Sequence, residues 1–494
     1  MNHDIAVLID RARQAQMLWA ALSYGERRRR LKNAGRRLAA RIDDLVETIH
    51  RENGKLPVDA LAAELLPAVL ALNYYLKRGK GFLADRRIGG GSLLMFNKKS
   101  RMIYRPWGVV GIISPWNYPF AIPFSEVVMA LLAGNAVLLK TASVVPGVGR
   151  GLADIFAGAE LPEGLFSWVE LSGAEAGRAF ISGGASGGVD KLFFTGSTAV
   201  GRELMALAAP KLLPLVLELG GADAAIIRED ADLDRAAAGI IWSGFSNAGQ
   251  SCGGAQRIIL HRKIYEPFLE KFRVLVERLV PGKDLGPMTT LKQKETVRKQ
   301  VEACLARGAK IAAQSPGSLE DASLFAPAVA LTDLTADMPV MNGEIFGPVV
   351  ALIPAGDDEE ALKIANASSY GLTASVWSRS SRRARELARR INAGAVMIND
   401  HLMSHGLAET PWGGFGDSGL GKTHGEAGFR EMLKAQVIID DALPGVKRNL
   451  FWQPYSEKVY RGIRAITEFL AGTPGGRIRA IPGVLKIFFR YWEK

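Results

Sequence analysis

"GVVGIISPWNYPFAIPFSEVVMALLAGNAVLLK", residues 108–140, is the stretch whose reading decides the fold. Its opening "GVVGIISP" (108–115) is apolar without alternation, so a strand there offers water no face and must be covered on both sides. "FSEVVMALLAGN" (124–135) reads as a helix closed by Gly134, and "AVLLK" (136–140) as the next strand. Strand, helix, strand with every strand apolar is the pattern of a parallel sheet flanked by helices. The same rhythm returns outward along the chain at "KLFFTG" (191–196), "LVLELGG" (215–221), "AAIIRED" (224–230) and "GAVMIND" (394–400). One segment breaks it: "SLLMFNKKSRMIYR" (92–105) reads as two short strands around a polar turn. Such a hairpin is marginal alone and needs another segment to pair with.

The chain has 494 residues, 48% hydrophobic and 23% charged, which describes an ordinary globular protein of two or three domains. Two cysteines cannot build a disulfide framework. "MNHDIAVLIDRARQ" lacks the basic-then-apolar order of a signal peptide, and no apolar run reads as long enough to span a bilayer, so the cytoplasm is the expected compartment. The formal net charge is +12, but ten Lys or Arg against three Asp or Glu lie between Lys447 and Lys494. The rest of the chain is therefore close to neutral. "ERRRRLKNAGRRLAAR" (26–41) reads as the solvated face of an amphipathic helix, and with no stacking aromatics or groove-reading element beside it, nucleic-acid binding is not expected.

"NAGQSCGGAQR" (247–257) holds Cys252 among residues too small to pack well around it. A thiol nucleophile needs a base, an oxyanion hole and room for substrate. Glu218, where a strand runs into two glycines, is placed as a base would be; Asn117, in a proline-bracketed turn after a strand, could donate to an oxyanion. Each also has a plainer reading, as an inert cysteine, a strand-end salt-bridge partner and a capping amide. His401, His405 and Glu409 have metal-ligand spacing on a helix, but Gly406 interrupts any helix there and no metal is expected. Cys304 sits at an apolar helical position and reads as core.

"SPWNYPF", "AGNAVLLK", "FTGSTAVG", "LELGG", "AGQSCGGAQR", "EIFGPV", "YGLTASVWS" and "PWGGFGDSGLG" stand in the order and approximate spacing of the NAD(P)-dependent aldehyde dehydrogenase family, which the chain resembles from about residue 20 to about 440. The resemblance implies two parallel-sheet, Rossmann-type domains plus a β oligomerisation element, and the non-acylating chemistry. It makes Cys252 the nucleophile, Asn117 with the Cys252 N–H the oxyanion hole, and Glu218 the base that activates water. For NAD or NADP it implies Glu344 and Phe346 at the nicotinamide ribose and ring, and Gly196 and Ser197 at a helix start under the pyrophosphate. Ser114, Pro115, Trp116, Lys140, Gly177, Phe194, Thr195, Val200, Leu219 and Gly220 complete the implied cofactor site. Ser143 stands where NAD-preferring members usually carry a Glu, which favours acceptance of NADP. Tyr118, Ile122 and Ser125, one helical face, match the tunnel wall, with Ser251 and Gly253 beside the nucleophile.

A serine at 125, where members taking small aldehydes often have an aromatic, argues for a wide tunnel and a medium- or long-chain aliphatic, or otherwise bulky apolar, aldehyde. An aromatic aldehyde or a small amino- or semialdehyde is the alternative. An enzyme passing its acyl group to coenzyme A would not need Glu218, so the glutamate favours water; a simple thiol hydrolase would need a histidine partner, and none is near Cys252 in sequence. By the same resemblance residues 1–91 and 106–220 form the cofactor domain and 221–432 the catalytic domain. Residues 92–105 with 433–443 form the oligomerisation element, in which "KAQVIIDD" (434–441) joins the hairpin; a homodimer is expected, with a tetramer as alternative. Residues 444–494 are a basic, aromatic extension with two readings, a helix lying at a membrane surface or an arm over a neighbouring subunit.

Overall fold

The computed structural model describes residues 4–183 and 187–492; of the C-terminal extension, residues 493 and 494 fall outside these. Residues 4–84 and 104–434 form one unit, built on two sheets. The first has strand order Gly419–Leu420, Leu215–Glu218, Lys191–Thr195, Val109–Ile113, Ala136–Lys140, Phe166–Trp168. All neighbours are parallel except the first pair. Val109–Ile113 and Ala136–Lys140 are buried along their whole length, and so is the helix between them, Ala121–Ala133, which ends on Gly134 in the left-handed conformation (φ 98°).

The second sheet has the order Lys310–Gln314, Val329–Thr332, Val349–Ala355, Ala255–His261, Asp223–Ile227, Thr373–Trp377, Ala395–Ile398, and only the pairing of Lys310–Gln314 is antiparallel. The link Leu219–Ala222 carries the chain from the carboxyl end of a strand in the first sheet to the amino end of one in the second. In register, Phe194 lies beside Ile113 and Thr195 beside Glu218, so the turns after three strands open on one edge. That edge is where open parallel sheets bind ligands.

Pro57–Phe82 departs from the sequence expectation: at 26 residues and a mean hydropathy of 1.2 it is long and apolar enough to cross a bilayer. It packs instead on the helix Ala121–Ala133 and buries Ala68, Leu72, Tyr75 and Leu76, while Val58, Leu61, Leu66 and Leu70 remain exposed.

Residues 85–103 and 435–492 form a second unit. Its sheet joins Arg86–Ile88, Lys98–Pro106 and Leu433–Asp441 in that order. The hairpin expected within 92–105 is not formed as read: Lys98–Pro106 pairs with Arg86–Ile88, and Leu93–Met95 is a 3-10 turn. Ser92 causes this, because its side chain accepts from the Leu94 N–H (3.2 Å) and its carbonyl from the Met95 N–H (3.2 Å), a local alternative to the ladder. Two helices, Glu457–Ala471 and Pro474–Phe488, pack side by side around Leu450, Ile466, Ile487 and Tyr491. Gly462 and Gly483 allow the close approach: a Cβ on Gly462 would fall 2.7 Å from Ile487, and one on Gly483 2.5 Å from Ala465.

Candidate active site

Cys252 sits just before Ala255–His261, on a loop held in costly geometry. Asn247 (φ 53°), Ala248 (φ 51°) and Gly249 (φ 68°) are left-handed in succession, which glycine and asparagine adopt readily and alanine only at a cost. At Gly249 a Cβ would lie 2.1 Å from the Gly347 carbonyl. The loop is fixed by side chains reaching back to its own backbone. Asn247 Nδ2 donates to the carbonyls of Gln250 (3.1 Å) and Asn117 (3.0 Å), Gln250 Nε2 donates to the Asn247 carbonyl (2.9 Å), and the Thr289 N–H donates to Gln250 Oε1 (2.9 Å). The Asn117 carbonyl thus ties the Cys252 loop to the turn that follows Val109–Ile113.

Two cavities meet at Cys252. The first, about 190 Å³, is walled by Tyr118, Ile122 and Ser251 and is mostly apolar, with Lys55 and Asp59 as its charged residues and Leu66, Leu70, Trp242 and Met403 toward solvent. The Tyr118 hydroxyl donates to Ser251 Oγ (3.2 Å). Gly253 backs this wall, since a Cβ there would be 2.8 Å from the Trp412 ring. Ser125 is buried and does not line the cavity, so tunnel width is set by Ala62, Ala63 and their neighbours on Pro57–Phe82 instead.

The second cavity, about 290 Å³, brings together Pro115, Trp116, Asn117, Thr195, Gly196, Ser197, Leu219, Gly220, Glu344, Phe346 and Cys252. Ser197 caps the helix Thr198–Ala208 by accepting from the Val200 N–H, so the unpaired N–H groups of its first turn open here, a ready anion site. Gly196 has no room for a side chain, a Cβ falling 2.5 Å from the Phe194 ring, and Trp116 meets Phe346 edge to face at 5.3 Å. The Gly221 N–H donates to Glu344 Oε1 (3.2 Å). These groups fit a flat ring joined to a diphosphate. Ser114 is buried beside them, its N–H donating to the Lys140 carbonyl (2.9 Å).

Ser143 lies apart, in a third cavity with Thr141, Ser172, Glu170 and Glu175, its Oγ donating to the Leu171 carbonyl (3.2 Å). Both acids there are engaged, Glu170 with Arg150 (3.2 Å) and Glu175 with the Ser172 N–H (3.0 Å). The Lys140 ammonium is 3.9 Å from the place of a Cβ on Gly173. Gly177 does not line these cavities; it lets its helix approach Leu204, where a Cβ would be at 2.7 Å.

The electrostatics are those of a dry, acidic centre. Burial, then Glu344, Asp223 and Glu218, push the Cys252 thiol far up, so it rests protonated. Glu218 is fully buried and its carboxyl is pushed well up by burial and by Glu126, against the pull of the Lys422 ammonium and the Trp412 indole. Burial raises Glu344 to about 7. Once ionised, a carboxylate whose proton affinity is raised in this way is a stronger base toward a thiol or a water than an ordinary one.

The sequence reading missed Lys55 and its surroundings. Lys55 and Glu64 are wholly buried, 3.0 Å apart. The Lys55 ammonium also donates to Asn53 Oδ1 (2.9 Å) and to the Asn117 carbonyl, and lies 4.5 Å from the Tyr118 ring centre. Glu64 Oε2 accepts from the N–H groups of Phe120 (3.1 Å) and Ala121 (2.8 Å), the start of the helix Ala121–Ala133. In "NGKLP" nothing marks the lysine as buried. His405, also missed, stacks on Tyr118 (6.0 Å) and meets Trp412 and His424 edge on; burial lowers it to about 4, so it is neutral. The metal spacing dissolves, because Met403–Gly406 is a 3-10 turn and His401 turns to Ser375 Oγ (2.8 Å).

Comparison with known proteins agrees with this geometry. The profile of the aldehyde dehydrogenase family matches residues 1–438. The chain is 35% identical over 470 residues to 4,4'-diapolycopene aldehyde oxidase of Methylomonas sp, covering 94% of this chain and 86% of that protein. It is 34% identical over 442 residues to a Mycobacterium ulcerans (strain Agy99) protein assigned as an NADP(+) succinate-semialdehyde dehydrogenase, covering 88% and 84%. Among solved structures it matches an aldehyde dehydrogenase from Brucella melitensis biovar abortus 2308 (TM-score 0.83, 32% identity, 88% and 89% covered). It also matches the NAD+ complex of one from Bacillus cereus (TM-score 0.82, 30% identity, 89% of each chain covered). The chain belongs to the aldehyde dehydrogenase family, oxidoreductases that act on aldehydes with NAD(P)+.

Proposed function

We propose that the protein oxidises a medium- or long-chain aliphatic, or similarly bulky apolar, aldehyde to its carboxylic acid through a thioester on Cys252. Glu218 relieves the thiol of its proton, directly or through water, and the sulfur adds to the carbonyl carbon to give a thiohemiacetal. The developing alkoxide is held by the Asn117 amide and the Cys252 N–H. Trp116, Glu344 and Phe346 would hold an oxidised nicotinamide, with its diphosphate at the start of Thr198–Ala208, and bound there it would supply the hydride acceptor. Loss of hydride leaves the acyl group on sulfur; Glu218 passes the thiol's proton to solvent and, ionised again, takes a proton from water as the water oxygen adds to the thioester carbon, and the Cys252 sulfur leaves and recovers a proton from Glu218. Within this reading, 1–91 and 106–220 bind cofactor, apart from Arg86–Ile88, which joins the sheet of the second unit, and 221–432 supply the nucleophile. The segments 92–105 and 433–443 pair subunits into a dimer, and the enzyme is cytoplasmic, touching a membrane surface through residues 444–494.

The observation that carries the substrate class is the lining of the first cavity. Its charged residues are Lys55, already paired with Glu64 and the Asn117 carbonyl, and Asp59. Among the described residues no arginine lines it, so a second carboxylate, as in a semialdehyde acid, would meet an acid and no spare cation there. Each buried methylene contributes about 0.8 kcal/mol, up to about fourfold in kcat/KM, until the cavity is full. Initial rates with acetaldehyde, octanal, decanal, benzaldehyde and succinic semialdehyde, with both cofactors, test this. The proposal requires octanal and decanal to lead; a preference for succinic semialdehyde contradicts it.

A further inference from the structure

The last helix, Pro474–Phe488, has two apolar faces. Gly476, Ala480 and Ile487 are buried on one, where Ile487 packs with Leu450, Ile466 and Tyr491. On the other, Ile478 (69% exposed), Ile481 (41%), Leu485 (60%) and the C-cap Phe489 (67%) are bare. Their spacing of three, four and four residues, at roughly 100° per residue, aligns them in one stripe diametrically opposite the buried face. By the same geometry Arg479 and Lys486 border the stripe on one side and Arg477 on the other. Arg477 donates to the carbonyls of Gly472 (2.9 Å) and Leu470 (3.4 Å), whereas Arg479 and Lys486 make no ion pair among the described residues. Trp452, Tyr455 and Tyr460 of the same unit are exposed as well.

We propose that this outward stripe lies in the interface of an anionic bilayer, with the helix axis in the membrane plane. Ile478, Ile481, Leu485 and Phe489 enter the acyl region, and Arg479 and Lys486 stay at the phosphates. The proposal rests on the membrane association put forward above and gives it a surface and a lipid charge; it does not depend on which aldehyde is oxidised. At 15 residues the helix lies on the bilayer and is too short to cross it, which takes about 20. Charge selects lipid over a second copy of the same face. Residues 447–494 carry ten basic against three acidic side chains, and Glu457 is already paired with Arg461 (2.8 Å), so two facing stripes would set arginine and lysine against their like.

The test is sedimentation of the full-length enzyme with vesicles of phosphatidylcholine alone, and of phosphatidylcholine with about one-third phosphatidylglycerol. Acetaldehyde oxidation is followed as a check of folding, and oligomeric state by light scattering. Binding is expected to the anionic vesicles, weakening as salt rises. Arg479→Gln and Lys486→Gln should each lower it about fivefold, and Ile478→Ser with Leu485→Ser should abolish it, with acetaldehyde oxidation and oligomeric state unchanged. The proposal is overturned if the parent binds neither vesicle, if the serine variant binds as well as the parent, or if it dissociates the oligomer, which would make the stripe a subunit contact. Vesicle binding by a protein that oxidises no aldehyde would refute the enzymatic reading and leave this one standing.

Discussion

Replacing Lys55 by methionine probes the way the fold holds the turn of Asn117, the proposed oxyanion donor. Lys55 is enclosed by Glu64 (3.0 Å), Asn53 Oδ1 (2.9 Å) and the Asn117 carbonyl, and neither member of the ion pair is exposed. Methionine keeps the volume and removes the charge, leaving Glu64 buried without its counter-ion. Removing one partner of a buried pair costs about 3–5 kcal/mol. Here Glu64 Oε2 keeps the N–H groups of Phe120 and Ala121, so the lower end, about 3 kcal/mol, applies. Catalysis should fall as well. The Asn117 carbonyl retains Asn247 as its donor, but the turn loses its anchor toward Pro57–Phe82, and a slightly displaced oxyanion donor costs about 10–100-fold in kcat. The assay is denaturant unfolding alongside kcat and cofactor KM. The expected variant unfolds earlier and turns over slowly with an unchanged cofactor KM. A variant of parental stability and kcat would refute the account of Lys55 as the anchor of Asn117.

Ser143→Glu should weaken NADP about fivefold, because the site is exposed and a new like charge is partly screened, with NAD little changed; KM for each cofactor decides it. Ala63→Trp should narrow the first cavity and flatten the rise of kcat/KM with chain length while sparing acetaldehyde, whereas Ser125→Phe, in a packed helix, should cost about 1–3 kcal/mol of stability by overpacking. Glu218 must be ionised to activate water, and burial and Glu126 raise its proton affinity, so deacylation is lost as pH falls through a value above that of an ordinary carboxyl. Glu126→Gln removes one of those causes and should carry the acid limb of the kcat profile to lower pH; a limb that stays put would assign it to another group.

The parallel sheets were legible because their strands are apolar at every position and punctuated by glycine: "GVVGI" and "AVLLK" could sit only in a doubly covered sheet. Cys252, Asn117, Glu218 and the lining of the second cavity stand in ordered motifs; the register of the first sheet brings the turns bearing Asn117, Thr195 and Glu218 to one edge, and Cys252 reaches the cavity from the second sheet. The tunnel was less legible. Periodicity placed Tyr118, Ile122 and Ser125 on one face, but the cavity follows that face for a single turn before Ala121–Ala133 is packed all round. Its far wall comes from Pro57–Phe82, whose sequence reads as ordinary core. Lys55 and Glu64 were invisible because, although they are near each other in the chain, their burial depends on the turn Asn117–Ala121, far along it. The hairpin at 92–105 was misread because hydrogen bonds of Ser92 outcompeted a ladder that its pattern suggested.

The thioester on Cys252 is the central claim, and trapping it in Glu218→Gln is the most direct test. Reacted with octanal and NAD(P)+, quenched in acid and digested, this variant should show an octanoyl group on the peptide containing Cys252, together with a burst of NAD(P)H equal to the number of active sites. Full steady turnover with no acylated peptide, or an acyl group on Cys304 in its place, would contradict the account.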